Sequence, residues 1–243
     1  MNCYGPLAAW YDQLTGDVPY EQFGDFYEAE FARDGGEFRL LLDLCCGTGT
    51  LTAIMARRGY EMIAADASVD MLMQARDKAA ELPVPPLFLL QEAAELDLYG
   101  TVDAAYCSLD GINYLRPEEL SEVFRRLHLF IRPGGLLLFD IRTPEWLESL
   151  DGQIFVDEKK DLLCLWRADF DRDEQAVHYG MDLFSREKTL WRRNREEHVE
   201  YAHRPERLEQ LLRENGFRDI EWRSDAIAES EGRLFLRCIR EEG

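Results

Sequence analysis

The stretch Leu41-Leu-Asp-Leu-Cys-Cys-Gly-Thr-Gly-Thr50 decides the fold of this 243-residue chain. It begins as an apolar run that ends in an acid, continues as a turn of small residues, and leads into a helical pattern. A short apolar run is typical of a parallel strand buried on both faces. Gly47 and Gly49 allow unusual φ angles and a close approach of the backbone. The following helix offers unpaired N–H groups to an anionic group, so we expect a ligand at this turn.

The segments that follow this stretch alternate between apolar strands and helices. Strands are predicted at 38–44, 61–66, 86–91, 102–107 and 136–140, and helices at 51–59, 69–82 and 117–129. Ser68 is placed to cap the second of these helices. Such an alternation implies a right-handed, doubly wound, mostly parallel sheet with helices on both faces.

The flanking segments have a different texture. Residues 6–34 indicate helical pieces, and residues 150–203 are rich in β-forming residues separated by polar turns. After a helix at 205–215, segments 220–223 and 233–239 indicate a closing antiparallel hairpin. We therefore expect an α/β domain of seven strands from residues 1–149 and 204–243, including N-terminal helices. Residues 150–203 are expected to form an inserted antiparallel β meander that acts as a lid.

Composition narrows the class of protein. The net charge is −20, which disfavours nucleic acid as the default partner because phosphate binding needs clustered Lys and Arg. No apolar run reaches the roughly 18 residues of a membrane span. The start shows no signal peptide, so we expect a cytoplasmic protein. The six cysteines form no C-x-x-C and the four histidines show no ligand spacing, so we expect free thiols and no metal.

Asp66 closes the second predicted strand, at the same sheet edge as the glycine turn. A carboxylate there can accept both hydroxyl groups of a ribose, as in dinucleotide-binding folds. The alternative is a tight turn beside a solvated aspartate. The joint occurrence of both features with further strand-end loops favours a nucleoside site.

Several motifs together resemble the class I S-adenosylmethionine (SAM)-dependent methyltransferases. Asp43-Leu-Cys-Cys-Gly-Thr-Gly49 resembles their motif I, and Asp66-Ala-Ser68 with Met71-Leu72 resembles their D-x-S-x-x-M-L segment. The turn at 132–135 and the Gly-Phe pair at 216–217 also match. The segments 11–20 and 108–115 resemble a bacterial subgroup of small methyltransferases.

The resemblance implies SAM as the cofactor and assigns residues to its parts. Asp43 and the loop residues Cys45, Gly47, Thr48 and Gly49 would face the methionine part. Asp66 and Ala67 would lie at the ribose. Met71, Ala93 and Ala94 would frame adenine, with Glu92 adjacent but pointing differently. Cys107 would lie beside the sulfonium, and Tyr11 and Tyr20 would close over the cofactor. Cys45 replaces the first motif glycine, and Ala93 stands where the family usually has an acid. The two tyrosines could equally be core aromatics of an amphipathic helix.

The predicted activity is methyl transfer by in-line displacement to a small-molecule acceptor. Asp110 and Tyr114, just after the fourth strand, are the candidate residues for acceptor contact or proton removal; a plain turn and a packing tyrosine are the alternative. An RNA methyltransferase remains open because five basic residues cluster at 186–195. A non-catalytic SAM-binding module is a third hypothesis.

Overall fold

In a computed structural model, which describes residues 4–228 and 230–242, the chain forms two β-sheets flanked by helices. The helices of this described part are α1 (Tyr11–Leu14), α2 (Tyr20–Asp34), α3 (Thr50–Arg57), α4 (Val69–Ala79), α5 (Leu120–Phe130), α6 (Pro144–Ser149) and α7 (Pro205–Glu214). The strands are β1 (Leu40–Leu44), β2 (Glu61–Asp66), β3 (Leu87–Leu90), β4 (Val102–Cys107), β5 (Ile131–Arg142), β6 (Gln153–Lys159), β7 (Leu162–Asp171), β8 (Ala176–Glu187), β9 (Leu190–Tyr201), β10 (Phe217–Arg223) and β11 (Arg233–Arg240).

The larger sheet has the order β10-β11-β5-β4-β1-β2-β3. β1 to β5 pair in parallel, whereas β11 runs antiparallel to both β5 and β10. This confirms the predicted doubly wound, mostly parallel seven-stranded sheet with a C-terminal antiparallel hairpin. Because the strand order reverses between β1 and β4, a crevice for a ligand is expected at their carboxyl ends.

Both faces of this sheet are covered, which explains the uninterrupted apolar strands. One face packs against α5 and α7 through residues such as Phe124 and Leu211, and the other packs against α2 and α3 through Phe26 and Met55. Leu42 belongs to the first cluster and Leu41 to the second, and both are completely buried. Alternation across β1 therefore sends successive leucines into opposite cores.

The smaller sheet is an antiparallel meander of the order β6-β7-β8-β9. Its inner face carries Cys164, Met181 and Leu183, which form a core with Leu7 of the N-terminal segment, residues 4–20. The predicted meander is therefore present within the expected range. The lid role assigned to it stays a proposal.

Several element boundaries differ from the sequence-based expectation: α4 ends at Ala79 rather than at 82, β10 begins at Phe217 rather than at 220, and the starts of α5 and β5 also shift. α5 begins at Leu120, not at Pro117, because the Arg116 N–H is held by the Glu119 carboxylate in a turn. β5 begins at Ile131 and includes the Pro-Gly-Gly stretch, which was expected to lie outside the strand. The register shift opposite Val102 makes room for this stretch, and a Cβ at Gly135 would lie 2.5 Å from the Asp103 carbonyl oxygen.

α6 was not predicted, although its start signal is present. The Thr143 hydroxyl accepts a hydrogen bond from the Trp146 N–H, and Pro144 occupies the first turn. Within the described residues, no helix combines the length and the apolarity that a membrane crossing requires.

Candidate active site

A cavity of about 280 Å³ opens at the carboxyl ends of β1 to β4. The loop after each of these strands contributes to its wall, and the N-terminal segment covers it. Its lining consists of Tyr4, Tyr11, Tyr20, Asp43–Thr48, Thr50, Leu51, Ala65–Ser68, Met71, Gln91–Ala93, Ser108, Leu109, Gly111, Tyr114 and Leu115. The cavity thus lies where the strand order predicts a ligand.

The two glycines of the turn after β1 have different surroundings. Gly47 has a φ of 54° and lines the cavity, and a Cβ built on it would meet nothing within 4 Å. Gly49 has a φ of 69°, but a Cβ there would lie 2.8 Å from the Cβ of Ala75 on α4. Gly47 therefore leaves the cavity open, whereas Gly49 allows the start of α3 to approach α4.

Cys45 occupies the position of the first motif glycine and also has a positive φ, 57°. Its side chain packs against the core and hydrogen-bonds with the Cys107 thiol. The left-handed backbone costs an L-residue roughly 1–2 kcal/mol. The turn therefore keeps the glycine-like conformation despite the substitution.

Asp66 closes the turn from the neighbouring strand. Its two carboxylate oxygens accept hydrogen bonds from the backbone N–H groups of Gly47 and Ser68, each at 2.8 Å. Burial raises the pKa of this carboxyl group. A carboxylate offers about four acceptor positions and the Ala67 N–H takes a third, so Asp66 retains capacity for one further donor, such as a ribose hydroxyl.

Asp43 lies deeper, at the end of β1. Its side chain is buried and accepts hydrogen bonds from the hydroxyls of Thr52 and Tyr106. Burial raises its pKa to about 7. Asp43 is therefore a carboxyl group that a nearby positive charge would shift toward the ionised form at neutral pH.

The wall formed by the loops after β2 and β3 is more apolar. Met71 and Ala93 are buried and line the cavity, together with the polar residues Gln91 and Glu92. The amide of Met71 donates to the Ser68 hydroxyl, which confirms Ser68 as the cap of α4. An aromatic base would find a thioether and a methyl group on this side.

The N-terminal segment is fixed over the cavity at two points. Asp12 accepts a hydrogen bond from the Thr48 hydroxyl at 2.6 Å and pairs with Lys78 at 2.7 Å. On the meander side, the Glu196 carboxylate accepts the backbone N–H groups of Tyr4 at 3.0 Å and Leu7 at 2.6 Å. Both contacts keep the three cavity-lining tyrosines of this segment in place.

Most of the residues expected at the cofactor lie on the cavity wall. Those that the structure brings together are Tyr11, Tyr20, Asp43, Cys45, Gly47, Thr48, Asp66, Ala67, Met71, Glu92, Ala93 and, from the catalytic pair, Tyr114. Those that do not line the cavity are Gly49, Ala94, Cys107 and Asp110. Cys107 is completely buried behind Cys45.

Asp110 is held in an ion-pair network rather than on the cavity wall. Its carboxylate lies 2.5 Å from the Arg233 guanidinium and 3.8 Å from that of Arg142. Asp140, which is completely buried, also pairs with Arg233 and accepts the Leu109 and Asp110 N–H groups. The network fixes the loop after β4. Asp110 therefore acts in this structure by holding that loop in position.

The sequence analysis missed Tyr4 and Glu200. Glu200 lies on β9, is 6% exposed, and hydrogen-bonds with the hydroxyls of Tyr114 and Tyr179. The available signal was the alternation Glu196-x-His198-x-Glu200, which places three polar side chains on one face of a strand. All three are buried on the face turned toward the cavity tyrosines.

The residues present fit SAM. Gly47 leaves open space on the wall, Asp66 has spare acceptor capacity, and Met71 with Ala93 forms an apolar surface beside it. These three features suit the methionine part, the ribose and the adenine base of SAM, respectively. The doubly wound sheet, with a cavity at its carboxyl edge that fits a nucleoside, defines a Rossmann-like fold.

Comparisons with known proteins identify the family. A model described as a methyltransferase domain matches residues 41–135. "Putative methyltransferase YqeM" of Bacillus subtilis (strain 168) is 30% identical over 217 residues, covering 88% of this chain and 86% of that protein. The chain therefore belongs to the class I SAM-dependent methyltransferases, and it is an enzyme that uses SAM.

Solved structures share the fold over nearly the whole chain. A SAM-dependent methyltransferase from Clostridium acetobutylicum ATCC 824 has a TM-score of 0.86 at 26% identity and covers 99% of this chain and 100% of its own. The sugar N-methyltransferase KedS8 from Streptoalloteichus sp ATCC 53650 has a TM-score of 0.80 at 20% identity, with coverages of 96% and 93%. The second likeness shows the shared fold, including the meander region.

Proposed function

We propose that this methyltransferase acts on a small-molecule acceptor, which binds in the cavity beside Tyr114. The observation that carries the proposal is the cover that the N-terminal segment forms over the site. Glu196 ties the N-terminal segment to β9 and Asp12 ties it to the turn after β1. A site covered on this side suits a compact acceptor better than a polymer.

The cofactor assignments follow from the lining. Asp66 would hold the ribose, Met71 and Ala93 would contact adenine, and Gly47 would let the backbone approach the methionine part. Asp43 would face the positive charges of the ligand. Bound SAM supplies an electrophilic methyl group on a sulfonium. Tyr11 and Tyr20 would cover the cavity and exclude water from it.

Catalysis in this site would rest on alignment. Holding two reactants in register can contribute about 7–11 kcal/mol to barrier lowering. Tyr114 lines the cavity and would contact the acceptor, whereas Asp110 would fix the loop through Arg233. The sugar methyltransferase KedS8, which shares the fold, also supports a small acceptor.

The arginines that favoured an RNA substrate are largely engaged within the meander. Arg193 and Arg195 both pair with Asp182, which is 4% exposed, and Arg192 pairs with Glu187. Arg186 lies 3.7 Å from Asp161. These contacts support a role of the arginines in strand pairing, so the small-molecule acceptor is preferred.

A cytoplasmic location of the protein remains a prediction.

A transfer assay with methyl-labelled SAM tests the proposal. The enzyme is incubated with a fraction of small metabolites, with purified tRNA, and without acceptor. We expect label in the small-molecule fraction together with formation of S-adenosylhomocysteine (SAH). Label in tRNA alone would contradict the small-molecule acceptor, and SAM binding without any SAH formation from either pool would favour a non-catalytic module.

A further inference from the structure

Behind the cavity wall lies a group of charged side chains that the cofactor does not explain. We call it the Glu200 cluster; it comprises Asp110, Asp140, Arg142, Glu200 and Arg233. These residues come from the loop after β4, from β5, from β9 and from β11. Asp140, Glu200 and Arg233 are each no more than 7% exposed. Tyr114 connects the cluster to the cavity, because it lines the cavity and hydrogen-bonds with Glu200.

The cluster is not neutral when all its groups are ionised. It contains three carboxyl groups and two guanidinium groups. Asp140 and Asp110 share Arg233, and Arg142 lies 3.8 Å from Asp110. Glu200 is the carboxyl group without a guanidinium in an ion pair among the described contacts. A buried charge that is not compensated is expensive, so the site is built to accept either a proton or a cation at Glu200.

The position of Glu200 is fixed relative to the cavity. The buried Asn113 side chain donates to the carbonyl oxygens of Arg142 at 3.2 Å and Tyr201 at 2.9 Å. The His203 ring lies 2.9 Å from the Leu115 carbonyl oxygen. These contacts join the end of β9 to the short 3₁₀ helix Gly111–Tyr114. The Tyr114–Glu200 pair therefore lies where the two sheets are connected.

We propose that the acceptor is an amine, and that Glu200, acting through Tyr114, is the residue that supplies its counter-charge and takes its proton. This inference rests on the proposed function, since it names the class of acceptor. An ammonium group in the cavity beside Tyr114 would bring the charge of the Glu200 cluster to zero. An alcohol would leave the excess charge, or the proton that neutralises it, in place.

The proton balance of this step is simple. The acceptor ammonium gives one proton to the Tyr114 oxygen while Tyr114 passes its own proton to the Glu200 carboxylate. The amine is then neutral, and its lone pair is free to form the bond to the methyl carbon as the carbon–sulfur electron pair goes to sulfur. The methylated nitrogen is left with a positive charge, and Glu200 later releases its proton to solvent.

The electrostatics of the site agree with this role. Burial, followed by the charge of Asp110, raises the pKa of Glu200 to about 8. Burial and the charge of Asp110 thus favour the protonated carboxyl group, and a cation beside Tyr114 would favour the carboxylate. The titratable and charged groups around it are Tyr4 from the N-terminal segment, Asp110 and Tyr114 after β4, Asp140 and Arg142 of β5, Tyr179 of β8, Glu196 and His198 of β9, and Arg233 of β11.

The experiment compares matched ligands on the SAH-loaded protein. Two pairs differ only in the group of interest: benzylamine with benzyl alcohol, and glucosamine with glucose. Isothermal calorimetry at pH 7 in two buffers of different ionisation heat gives both affinity and the number of protons released. The variants are Glu200→Gln, Tyr114→Phe and the exposed control Glu158→Gln on β6, and Tyr99→Phe is the exposed tyrosine control.

We expect at least one amine to bind the wild type about tenfold more tightly than its alcohol partner, which corresponds to about 1.4 kcal/mol. Binding of that amine releases close to one proton. Glu200→Gln loses both the preference and the proton release, Tyr114→Phe weakens the preference, and both control variants keep them. For an amine that serves as a methyl acceptor, the methylation rate rises with pH. This rise occurs at a lower pH in the wild type than in Glu200→Gln.

Equal affinities of the wild type for amine and alcohol overturn the proposal, and so does the absence of detectable binding of either. A preference for the alcohols, or a preference for the amine that survives in Glu200→Gln, overturns it as well. Binding of SAH itself distinguishes a wrong acceptor class from a wrong cofactor site. If SAH binds and the amine preference is missing, only the acceptor class is wrong. If SAH does not bind, the cofactor site and the proposed function fail.

Discussion

The residues of the turn after β1 show how one motif serves two purposes. Gly47 faces the cavity and donates its N–H to Asp66, whereas Gly49 permits contact between α3 and α4. Cys45, a residue with a side chain, adopts the same left-handed backbone as the glycines around it. The motif therefore constrains backbone conformation first, and ligand contact follows from that conformation.

Substituting Gly49 separates strain from packing. Gly49→Ala forces a Cβ to within 2.8 Å of Ala75 at a φ of 69°. We expect it to lower the free energy of unfolding by about 2–4 kcal/mol, since backbone strain and overpacking add. Gly152→Ala, at a φ of 73° with nothing near its Cβ, is the matched control and should cost only about 1 kcal/mol. Urea denaturation of both variants measures the difference, and equal losses would contradict the packing argument.

The raised pKa of Asp43 predicts that the free energy of unfolding of the ligand-free protein depends on pH. Its pKa is raised from 3.8 to about 7 in the folded state, so the folded protein binds this proton more tightly than the unfolded chain. The stabilising contribution of that proton is complete below about pH 4 and is lost as the pH rises through 7. Compared with Asp43→Asn, the wild type should lose on the order of 2–4 kcal/mol over this range.

Denaturation curves at a series of pH values check this expectation. Asp77→Asn, an exposed substitution on α4, serves as the control and should follow the wild type. Parallel pH profiles for the wild type and Asp43→Asn would show that Asp43 titrates normally.

At the scale of elements, sequence patterns predicted what local sequence determines. β2 and β4 match the expected ranges 61–66 and 102–107, because each is an apolar run with clear ends. The predicted β5 was too short, since its pairing with β4 resumes at Ile131 on the far side of a bulge that contains Pro133 and two glycines. The Glu200 cluster was not predictable, because it joins four segments that only the packing of the two sheets brings together.

The N-terminal segment is an element whose effect is measurable. Asp12→Asn weakens the contacts with Thr48 and Lys78 that hold α1 over the cavity. Since Asp12 is partly exposed, we expect a modest loss of about 0.2–1 kcal/mol, or up to about fivefold weaker SAM binding. Limited proteolysis of the same variant should show faster cleavage within residues 4–20. Asp17→Asn, exposed on the same segment, is the control, and identical behaviour of the two variants would argue against a closing role for Asp12.

For the whole molecule, the proposed function draws on both sheets. The parallel sheet carries the proposed cofactor cavity at its carboxyl edge, and β9 of the meander carries the buried side chains of Glu196, His198 and Glu200. The N-terminal segment lies between them and contacts both. Sequence motifs predicted the turns around the cavity because each turn is formed by neighbouring residues. The proposed acceptor side was harder to predict, because it depends on side chains that alternate along a strand.

The central claim is that Asp66 and the turn after β1 bind SAM, and calorimetric titration with SAM tests it most directly. We expect the wild type to bind one SAM per chain. Asp66→Ala, which removes the carboxylate that would hold the ribose, should weaken binding by about 1.5–3 kcal/mol, roughly 10–150-fold, while Asp77→Asn binds normally. Asp66→Asn, which keeps one acceptor for the N–H groups of the turn, shows whether the loss comes from the ligand contact or from the turn. No binding to the wild type, or undiminished binding to Asp66→Ala, would contradict the account.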